Sequence, residues 1–222
     1  MHKALEDIAL VVFDLDGTLI DSAPDLAVAV ENTLAEYDLP ASGVDKVRGW
    51  VGNGSHKLVE RALADAGAPQ IDVDEAHAVF IKHYAALPCA HTVVYDGVIE
   101  CLTTLRSRGY DVMLITNKPI AFLPPILEAM GLDGFFSLTL GGDSLNEKKP
   151  HPGPLLHAAR QGDVAPAACL MVGDSRHDIQ AGKAAGFRTV AVTYGYNHGD
   201  PISDSAPDHL VDSLAELVAE SR

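Results

Sequence analysis

Two aspartates stand two residues apart in the segment Asp14-Leu-Asp-Gly-Thr18, directly after an apolar run. The run covers residues 8–13 and predicts a buried strand that ends at Asp14. Ionised carboxylates are rarely left unpaired at the edge of an apolar core, so we expect a cation, a proton or a set of hydrogen-bond donors beside them. The chemistry that such a pair first indicates is phosphoryl transfer on Asp14.

Polar residues also follow other predicted strands. Thr116 and Asn117 follow one apolar run, and Asp174 follows another, with Asp178 one helical turn beyond it. Because ligands bind at the carboxyl ends of the strands in parallel α/β sheets, we expect these carboxylates to converge with Asp14 on one edge. Three carboxylates repel one another, and a hard divalent cation with oxygen ligands relieves that repulsion, so Mg²⁺ is the expected ion.

The basic pair Lys148-Lys149 lies in a loop between a further predicted strand and a predicted helix at about residues 152–162. Two lysines beside a proline are typical of a solvated loop, but this loop returns to the edge that holds the carboxylates. A lysine there could balance the charge of Asp14 and of a phosphoryl group. Thr116 and adjacent backbone N–H groups could then hold the phosphoryl oxygens.

The pattern of apolar residues predicts the elements that position these side chains. From residue 98 onward, short apolar runs alternate with amphipathic stretches, which predicts a doubly wound parallel sheet of the α/β class. Between the first strand and residue 88 the pattern is helical, without a convincing strand. We therefore expect an α/β core from residues 1–20 and 88–222, and an all-helical cap from residues 21–87 over the carboxyl edge of the sheet.

The composition excludes several classes of function. The chain has 222 residues and a net charge of -15, from 16 Lys plus Arg against 31 Asp plus Glu, which argues against binding to nucleic acid or anionic membranes. No apolar run reaches the roughly 20 residues of a membrane span. The N-terminus lacks a signal-like apolar stretch, and the three cysteines form no Cys-x-x-Cys pair, so we expect a cytoplasmic protein. The sequence leaves a monomer and a homodimer both open. An anionic substrate would need local positive charge from a metal, a basic side chain or a helix N-terminus.

Four motifs in order resemble those of the haloacid dehalogenase superfamily. They are Asp14-Leu-Asp-Gly-Thr-Leu19, Thr116-Asn117, Lys149-Pro150 and Gly173-Asp174-Ser-Arg-His-Asp178. The helical insert after the first core strand is similar to the small C1 cap of that family. The resemblance spans nearly the whole chain and implies a Rossmannoid core and an enzyme acting on a small phosphate ester.

The resemblance also implies roles for individual residues. Asp14 would attack phosphorus to form an aspartyl-phosphate. Asp16 would protonate the leaving oxygen and later deprotonate the water that hydrolyses the intermediate. Thr116 and the backbone of Asn117 would hold the phosphoryl oxygens, and Lys149 would compensate charge.

The same resemblance implies a metal site and a reaction subclass. Mg²⁺ would be bound by the Asp14 carboxylate, the Asp16 backbone carbonyl and Asp174, with Asp178 ordering its water shell or ligating directly. Dehalogenases of the family lack an acid at the position of Asp16, so hydrolysis of a phosphate ester is favoured. A sugar phosphomutase stays open as an alternative.

The segment Arg48-Gly-Trp-Val-Gly-Asn-Gly-Ser55 of the cap combines a basic residue with a glycine-rich turn before a predicted helix. It is either an ordinary loop with an N-cap or a binding element in which Arg48, Gly52, Asn53 and Gly54 hold a substrate carboxylate. Together with the first motif and the small cap, it resembles bacterial phosphoglycolate phosphatases, which implies 2-phosphoglycolate as substrate.

Other functions remain open at this stage. Related family members with similar caps act on pyrophosphate, nucleoside monophosphates or sugar phosphates. A non-catalytic phosphoacceptor, similar to a signalling receiver domain, would also use an aspartate, a threonine and a lysine. Such a module has no acid two residues after the nucleophile and no cap insert, and both are present here.

Overall fold

The structure of the chain is a computed structural model that describes residues 1–86 and 89–219. Its strands are β1 (Leu10–Phe13), β2 (Ile20–Asp21), β3 (Val93–Val94), β4 (Asp111–Ile115), β5 (Leu138–Leu140), β6 (Cys169–Gly173), β7 (Arg188–Val192) and β8 (His209–Val211). Its helices are α1 (Ala23–Ala35), α2 (Val44–Trp50), α3 (Ser55–Asp65), α4 (Val73–Ala85), α5 (Val98–Ser107), α6 (Leu123–Ala129), α7 (Gly153–Gln161), α8 (Arg176–Ala185) and α9 (Ala215–Val218). None of the helices in these described ranges is long and apolar enough to cross a membrane.

Six strands of the described chain form one parallel sheet in the order β5-β4-β1-β6-β7-β8. All four residues of β1 are buried, because both faces of the sheet are covered. Val11 and Phe13 belong to an apolar cluster with α5 and α6, whereas Leu10 and Val12 belong to a second cluster with α7 and α8. The prediction of a doubly wound parallel α/β sheet is confirmed.

One predicted strand is shorter than expected. The sequence predicts a strand over residues 135–140, but β5 is limited to Leu138–Leu140. The guanidinium of Arg106 donates hydrogen bonds to the carbonyls of Phe135 at 2.6 Å and Gly134 at 3.2 Å. These two carbonyls therefore bind a side chain and not a neighbouring strand.

The helices α1 to α4 form the insert between β2 and β3. These two short strands pair in antiparallel register, with Ile20 opposite Val94 and Asp21 opposite Val93. The sequence predicts no strand here, because a two-residue strand leaves no periodic pattern. The pairing places the two ends of the insert side by side at the sheet edge.

The insert packs directly on the α/β core. Val30 of α1, Leu63 of α3 and Phe80 of α4 belong to the same apolar cluster as Val11 of the central strand. The division into a core and a cap at residues 21–87 stays a prediction, and its second boundary, between residues 87 and 88, lies outside the described residues.

Asp25 joins α1 to the chain segment that returns from the insert. Its side chain is 1% exposed and accepts the N–H of His91 at 2.9 and 3.1 Å. It also accepts the N–H of Thr92 at 2.8 Å and the Thr92 hydroxyl at 2.5 Å. A buried carboxylate with three donors holds this junction together.

We expect Asp25→Ala to lower the free energy of unfolding by roughly 2–4 kcal/mol, because it leaves buried N–H groups without an acceptor. Urea denaturation followed by circular dichroism measures the change. Asp45→Ala, at an exposed position of α2, is the matched control and should change stability by no more than about 0.5 kcal/mol. Equal effects of the two substitutions would contradict the role given to Asp25.

Candidate active site

The carboxyl ends of three neighbouring strands supply the centre of the candidate site. Asp14 follows β1, Thr116 follows β4 and Asp174 follows β6, and these strands are adjacent in the sheet. All three side chains are buried. The strand order reverses at β1, because β4 lies on one side of it and β6 on the other. In such folds a crevice opens at the carboxyl end of the sheet at this point, and ligands bind there.

Asp14, Asp174 and Asp178 form what we call the acidic group. One carboxylate oxygen from each lies within 4.8 Å of the others, and all three residues are buried. Burial raises the pKa of Asp14 from 3.8 to about 7, against the opposing effect of Lys149. Burial, together with the neighbouring charges of Asp178 and Asp14, also raises the pKa of Asp174 well above its usual value. Full ionisation of the acidic group is therefore costly without further positive charge.

Lys149 supplies one positive charge at the acidic group. Its ammonium lies 2.8 Å from Oδ1 of Asp14, and it donates to Oδ1 of Asp178 at 2.6 Å and to the Ile115 carbonyl at 2.7 Å. Burial acts to lower the pKa of Lys149, but Asp14 and Asp178 raise it above its usual value. One lysine faces three carboxylates, so the group retains an excess of negative charge.

The oxygens of the acidic group differ in how well they are paired. Oδ1 of Asp14 is buried and forms an ion pair with the Lys149 ammonium at 2.8 Å. Both oxygens of Asp178 accept hydrogen bonds, from Lys149 and from the N–H and hydroxyl of Ser175. A cluster of buried carboxylate oxygens from three residues fits a hard divalent cation, which takes oxygen ligands.

Asp174 is fixed by two groups from different parts of the chain. Its Oδ1 accepts the Thr18 hydroxyl at 3.0 Å, and its Oδ2 accepts the N–H of Tyr196 at 2.8 Å. Thr18 follows β1 within the first motif, whereas Tyr196 follows β7. The loops after two strands therefore orient this carboxylate beside Asp14.

The carboxylate of Asp16 has a separate set of partners. It accepts the Ser22 hydroxyl at 2.5 Å and the ammonium of Lys118 at 3.0 and 3.1 Å. The Lys118 side chain is only 4% exposed, and its ammonium lies 4.8 Å from the centre of the Tyr84 ring in α4. Burial acts to lower the pKa of Lys118, but Asp16 and Tyr84 raise it above its usual value. Lys118 therefore keeps its positive charge inside the site.

Sequence reasoning did not identify Lys118. The residue directly follows Thr116 and Asn117, at the same strand end as two predicted site residues. That position was a usable signal, because a lysine at the carboxyl end of a parallel strand faces the binding crevice. Its partner Asp16 lies 102 residues away in the sequence, so the ion pair itself left no local pattern.

Asn117 connects the helical insert to the loop that carries Lys149. Its side-chain amide donates to the carbonyls of Gly52 in the insert and of Lys149, both at 2.9 Å. Gly142 packs against the Asn117 carbonyl so closely that a Cβ atom there would collide with it. These contacts fix the backbone at the end of β4.

The structure does not bring Arg48 to the acidic group. Arg48 lies in α2, and its guanidinium makes a two-pronged contact with Asp21 at 2.9 and 3.0 Å. It also lies 5.1 Å from the ring centre of Tyr196. Although burial opposes ionisation, hydrogen bonds from Arg48 and Tyr196 hold the pKa of Asp21 below its usual value. The Arg48 guanidinium, which the sequence assigned to a substrate carboxylate, thus binds the carboxylate of Asp21.

The other predicted cap residues divide into two sets. Gly52 and Gly54 line the cavity at the site, together with Ser55 at the start of α3. The side chain of Asn53 does not line it and lies 2.7 Å from Nε2 of His177. The glycine-rich turn therefore contributes Gly52 and Gly54 to the cavity wall, and not the side chain of Asn53.

The cavity between the helical insert and the carboxyl edge of the sheet encloses about 480 Å³, its open mouth included. Its charged lining comes from Asp14, Asp16 and Lys118, and Thr116 and Asn117 add polar groups. Its remaining walls are largely apolar, with Leu26, Val51, Leu58, Phe80 and Phe122 among the lining residues. A cavity of this kind suits a small ligand held by a few polar groups at one end.

Comparison with known families agrees with the fold and the motifs. A family profile described as haloacid dehalogenase-like hydrolase matches residues 8–186, which is most of the chain. The chain therefore belongs to the haloacid dehalogenase-like hydrolases, as its four motifs predicted, and it is an enzyme of that family.

Several similar relatives carry the name phosphoglycolate phosphatase. The phosphoglycolate phosphatase of Colwellia psychrerythraea is 43% identical over 219 residues, covering 96% of this chain and 97% of the relative. That of Pseudomonas putida is 49% identical over 216 residues, covering 94% and 78%. A crystal structure described as a predicted phosphoglycolate phosphatase from Haemophilus somnus has a TM-score of 0.90 at 38% identity, covering 96% of this chain and 97% of the other.

The pKa of Asp14 predicts how the metal-free protein responds to pH. Because the pKa is raised from 3.8 to about 7, the folded chain binds more protons than the unfolded chain between these values. Its free energy of unfolding therefore falls as the pH rises through this range and stays low above about pH 7. Asp14→Asn removes the buried charge and should stabilise the metal-free protein at pH 8 by about 1–4 kcal/mol, at about 1.4 kcal/mol per pKa unit.

Urea denaturation in the presence of a chelator at pH 5 and pH 8 measures this effect. The advantage of Asp14→Asn should shrink at pH 5, where the wild-type carboxyl group is protonated in the folded state. Asp133→Asn, at an exposed position, is the control and should not alter the pH dependence. A metal-free Asp14→Asn protein that is no more stable than the wild type at pH 8 would refute the electrostatic account.

Proposed function

We propose that this enzyme is a magnesium-dependent phosphatase that hydrolyses 2-phosphoglycolate to glycolate and phosphate through an aspartyl-phosphate at Asp14. The observation that carries the proposal is the Asp14 carboxylate, which lies at the end of β1, forms an ion pair with Lys149 and lines the cavity. A carboxylate held in this way is a nucleophile with a fixed direction of attack. The relatives named phosphoglycolate phosphatase support the substrate.

In the first step Asp14 attacks the phosphorus atom and the alcohol oxygen leaves. Lys149, already in contact with Asp14, balances the negative charge that collects around the phosphoryl oxygens. The Thr116 hydroxyl and the backbone N–H of Asn117 hold these oxygens at the end of β4. Phosphoryl transfer depends mainly on such positioning and charge neutralisation.

Asp14, Asp174 and the backbone carbonyl of Asp16 would hold Mg²⁺. When bound, the ion neutralises charge on the phosphoryl group and keeps the nucleophilic carboxylate ionised. Asp178 has both oxygens engaged by Lys149 and Ser175, so we assign it to orienting Lys149 and the water around the ion. The excess negative charge of the acidic group supports this assignment.

Asp16 acts as the acid and base of the reaction. Its carboxylate lines the cavity and is not a member of the acidic group, since Ser22 and Lys118 hold it elsewhere. It protonates the oxygen of the leaving alcohol and then accepts a proton from the water that attacks the aspartyl-phosphate. Two aspartates are needed because one must stay ionised while the other exchanges protons.

The cap defines the space for the rest of the substrate. We propose that residues 21–87 act as a cap that covers a small phosphate ester, with the glycines Gly52 and Gly54 at the cavity wall. Larger alcohols meet apolar walls that offer their hydroxyl groups few partners. The cytoplasmic location and a monomeric or homodimeric state belong to the proposal as predictions from the sequence.

The proposed nucleophile is tested by substitution. Asp14→Asn should lower magnesium-dependent phosphate release by at least about 10³-fold without unfolding the chain, as expected for the loss of a nucleophile. A phosphate-release assay with and without a chelator, on wild type and variant, measures the effect. Asp133→Asn should keep wild-type turnover. Full activity of the Asp14 variant, or full wild-type activity in the chelator, would rule out the mechanism.

The proposed substrate is tested by comparing kcat/KM over a panel of small phosphates. Phosphoglycolate should rank first, ahead of pyrophosphate, a nucleoside monophosphate, a hexose phosphate and an aryl phosphate. A low rank for phosphoglycolate beside high activity on another ester would overturn the substrate and leave the phosphatase assignment standing. Isomerisation of the hexose phosphate without phosphate release would instead indicate a phosphomutase.

A further inference from the structure

Lys118 is the only cationic side chain that lines the cavity among the described residues. Arg48, the cation that the sequence indicated for the far end of the substrate, is held by Asp21 and does not line the cavity. Lys149 is engaged by Asp14, Asp178 and a backbone carbonyl. An anionic group in the cavity beyond the phosphoryl site therefore has Lys118 as its available basic partner.

The chemistry of the proposed substrate brings its carboxylate close to this lysine. This step rests on the proposed function, in which Asp16 protonates the ester oxygen and so lies within about 2.6–3.2 Å of it. In phosphoglycolate a single methylene group separates that oxygen from the carboxylate. The carboxylate must therefore lie next to whatever surrounds Asp16, and the Lys118 ammonium is 3.0 Å from Asp16.

Charge favours the same position. A substrate carboxylate beside Asp16 places two negative charges close together, and a cation in contact with both relieves their repulsion. The Lys118 ammonium is held by the two Asp16 oxygens, at 3.0 and 3.1 Å, and by the Tyr84 ring. The ammonium is thus oriented before the substrate arrives, which lowers the entropy cost of binding.

The start of α3 contributes a second positive feature to the lining of the cavity. Gly54 and Ser55 line the cavity at the N-terminus of α3, a helix of 11 residues, where partial positive charge favours anions. Leu58 and Phe80, which also line the cavity, offer a carboxylate no hydrogen bond. Lys118 and the start of α3 are therefore the two positive features of the lining that could bind the carboxylate of the substrate.

We propose that Lys118 binds the carboxylate of the substrate and so selects short phosphate esters with an anionic end. The basic side chain next to the proton-transferring aspartate then serves two partners at once, Asp16 and the substrate. Specificity for phosphoglycolate is set in large part by the core, at the strand end after β4, and not by Arg48 of the cap.

The test compares two substrates that differ only in the proposed contact. Ethyl phosphate has a methyl group where phosphoglycolate has its carboxylate, and the phosphoryl group and ester oxygen are the same. For Lys118→Met we expect kcat/KM for phosphoglycolate to fall at least 100-fold, mainly through KM. The ratio of kcat/KM for phosphoglycolate over ethyl phosphate should fall at least 10-fold, and Lys118→Arg should retain most of the wild-type ratio.

Lys148→Met is the matched control. Its ammonium is near the site but donates to the Asn53 carbonyl at 3.1 Å from an exposed position, so the substrate ratio should stay at the wild-type value. Circular dichroism checks that the variants are folded. Lys118→Gln, which keeps an uncharged donor, gives the same comparison if the Met variant does not fold.

The outcomes separate this inference from the proposed function. Equal losses for both substrates in Lys118→Met would show that the lysine acts only through Asp16, and would overturn carboxylate binding. Wild-type kcat/KM for both substrates in the variant would overturn it as well, with the phosphatase assignment intact. A wild-type enzyme that does not prefer phosphoglycolate to ethyl phosphate would overturn the proposed substrate together with this role for Lys118.

Discussion

The burial of three carboxylates at one edge of the sheet is the constraint on which the rest of the structure depends. Transfer of an ionised carboxylate out of water costs several kcal/mol unless a partner compensates it. Lys149 contacts Asp14 and Asp178, and hydrogen bonds from Thr18 and Tyr196 hold Asp174. The remaining charge must be met by a proton or a cation, and this requirement makes the site suitable for binding a metal and a phosphoryl group.

Tyr196 connects this buried charge to the cap. Its backbone N–H binds Asp174, while its hydroxyl donates to Asp21 at 2.7 Å and accepts the N–H groups of Ser22 and Ala23 at the start of α1. Arg48 binds the same aspartate from the cap side. The start of the helical insert and a carboxylate of the acidic group are therefore held by one residue, so the position of the insert and the geometry of the site are physically linked.

The sequence predicted most of the features that are local in the chain. The buried strand β1 and its terminal Asp14 were evident, because a continuous apolar run that ends in two carboxylates is typical of a core strand leading into a polar site. The helix α3 begins at Ser55, directly after the glycines that predicted its start. The family followed from four motifs at strand ends, whose order and chemistry are specific.

The features that the sequence did not predict depend on partners distant in the chain. Arg48 was assigned to a substrate because its nearest neighbours form a glycine-rich turn, but it lies in α2 and binds Asp21, 27 residues away. Lys118 was overlooked because its ion pair with Asp16 forms only when β1 and β4 lie side by side in the folded sheet. Which side chains form an ion pair depends on the tertiary structure, and the local pattern of residues in the sequence does not predict it.

The central claim is that phosphoryl transfer passes through Asp14 in two in-line displacements. The stereochemical course at phosphorus tests it most directly, with a phosphoglycolate whose phosphoryl group is made chiral by sulfur and oxygen isotopes. Each in-line displacement inverts the configuration, so an aspartyl-phosphate mechanism predicts net retention in the released thiophosphate. Net inversion would show that water attacks phosphorus directly and would contradict the account.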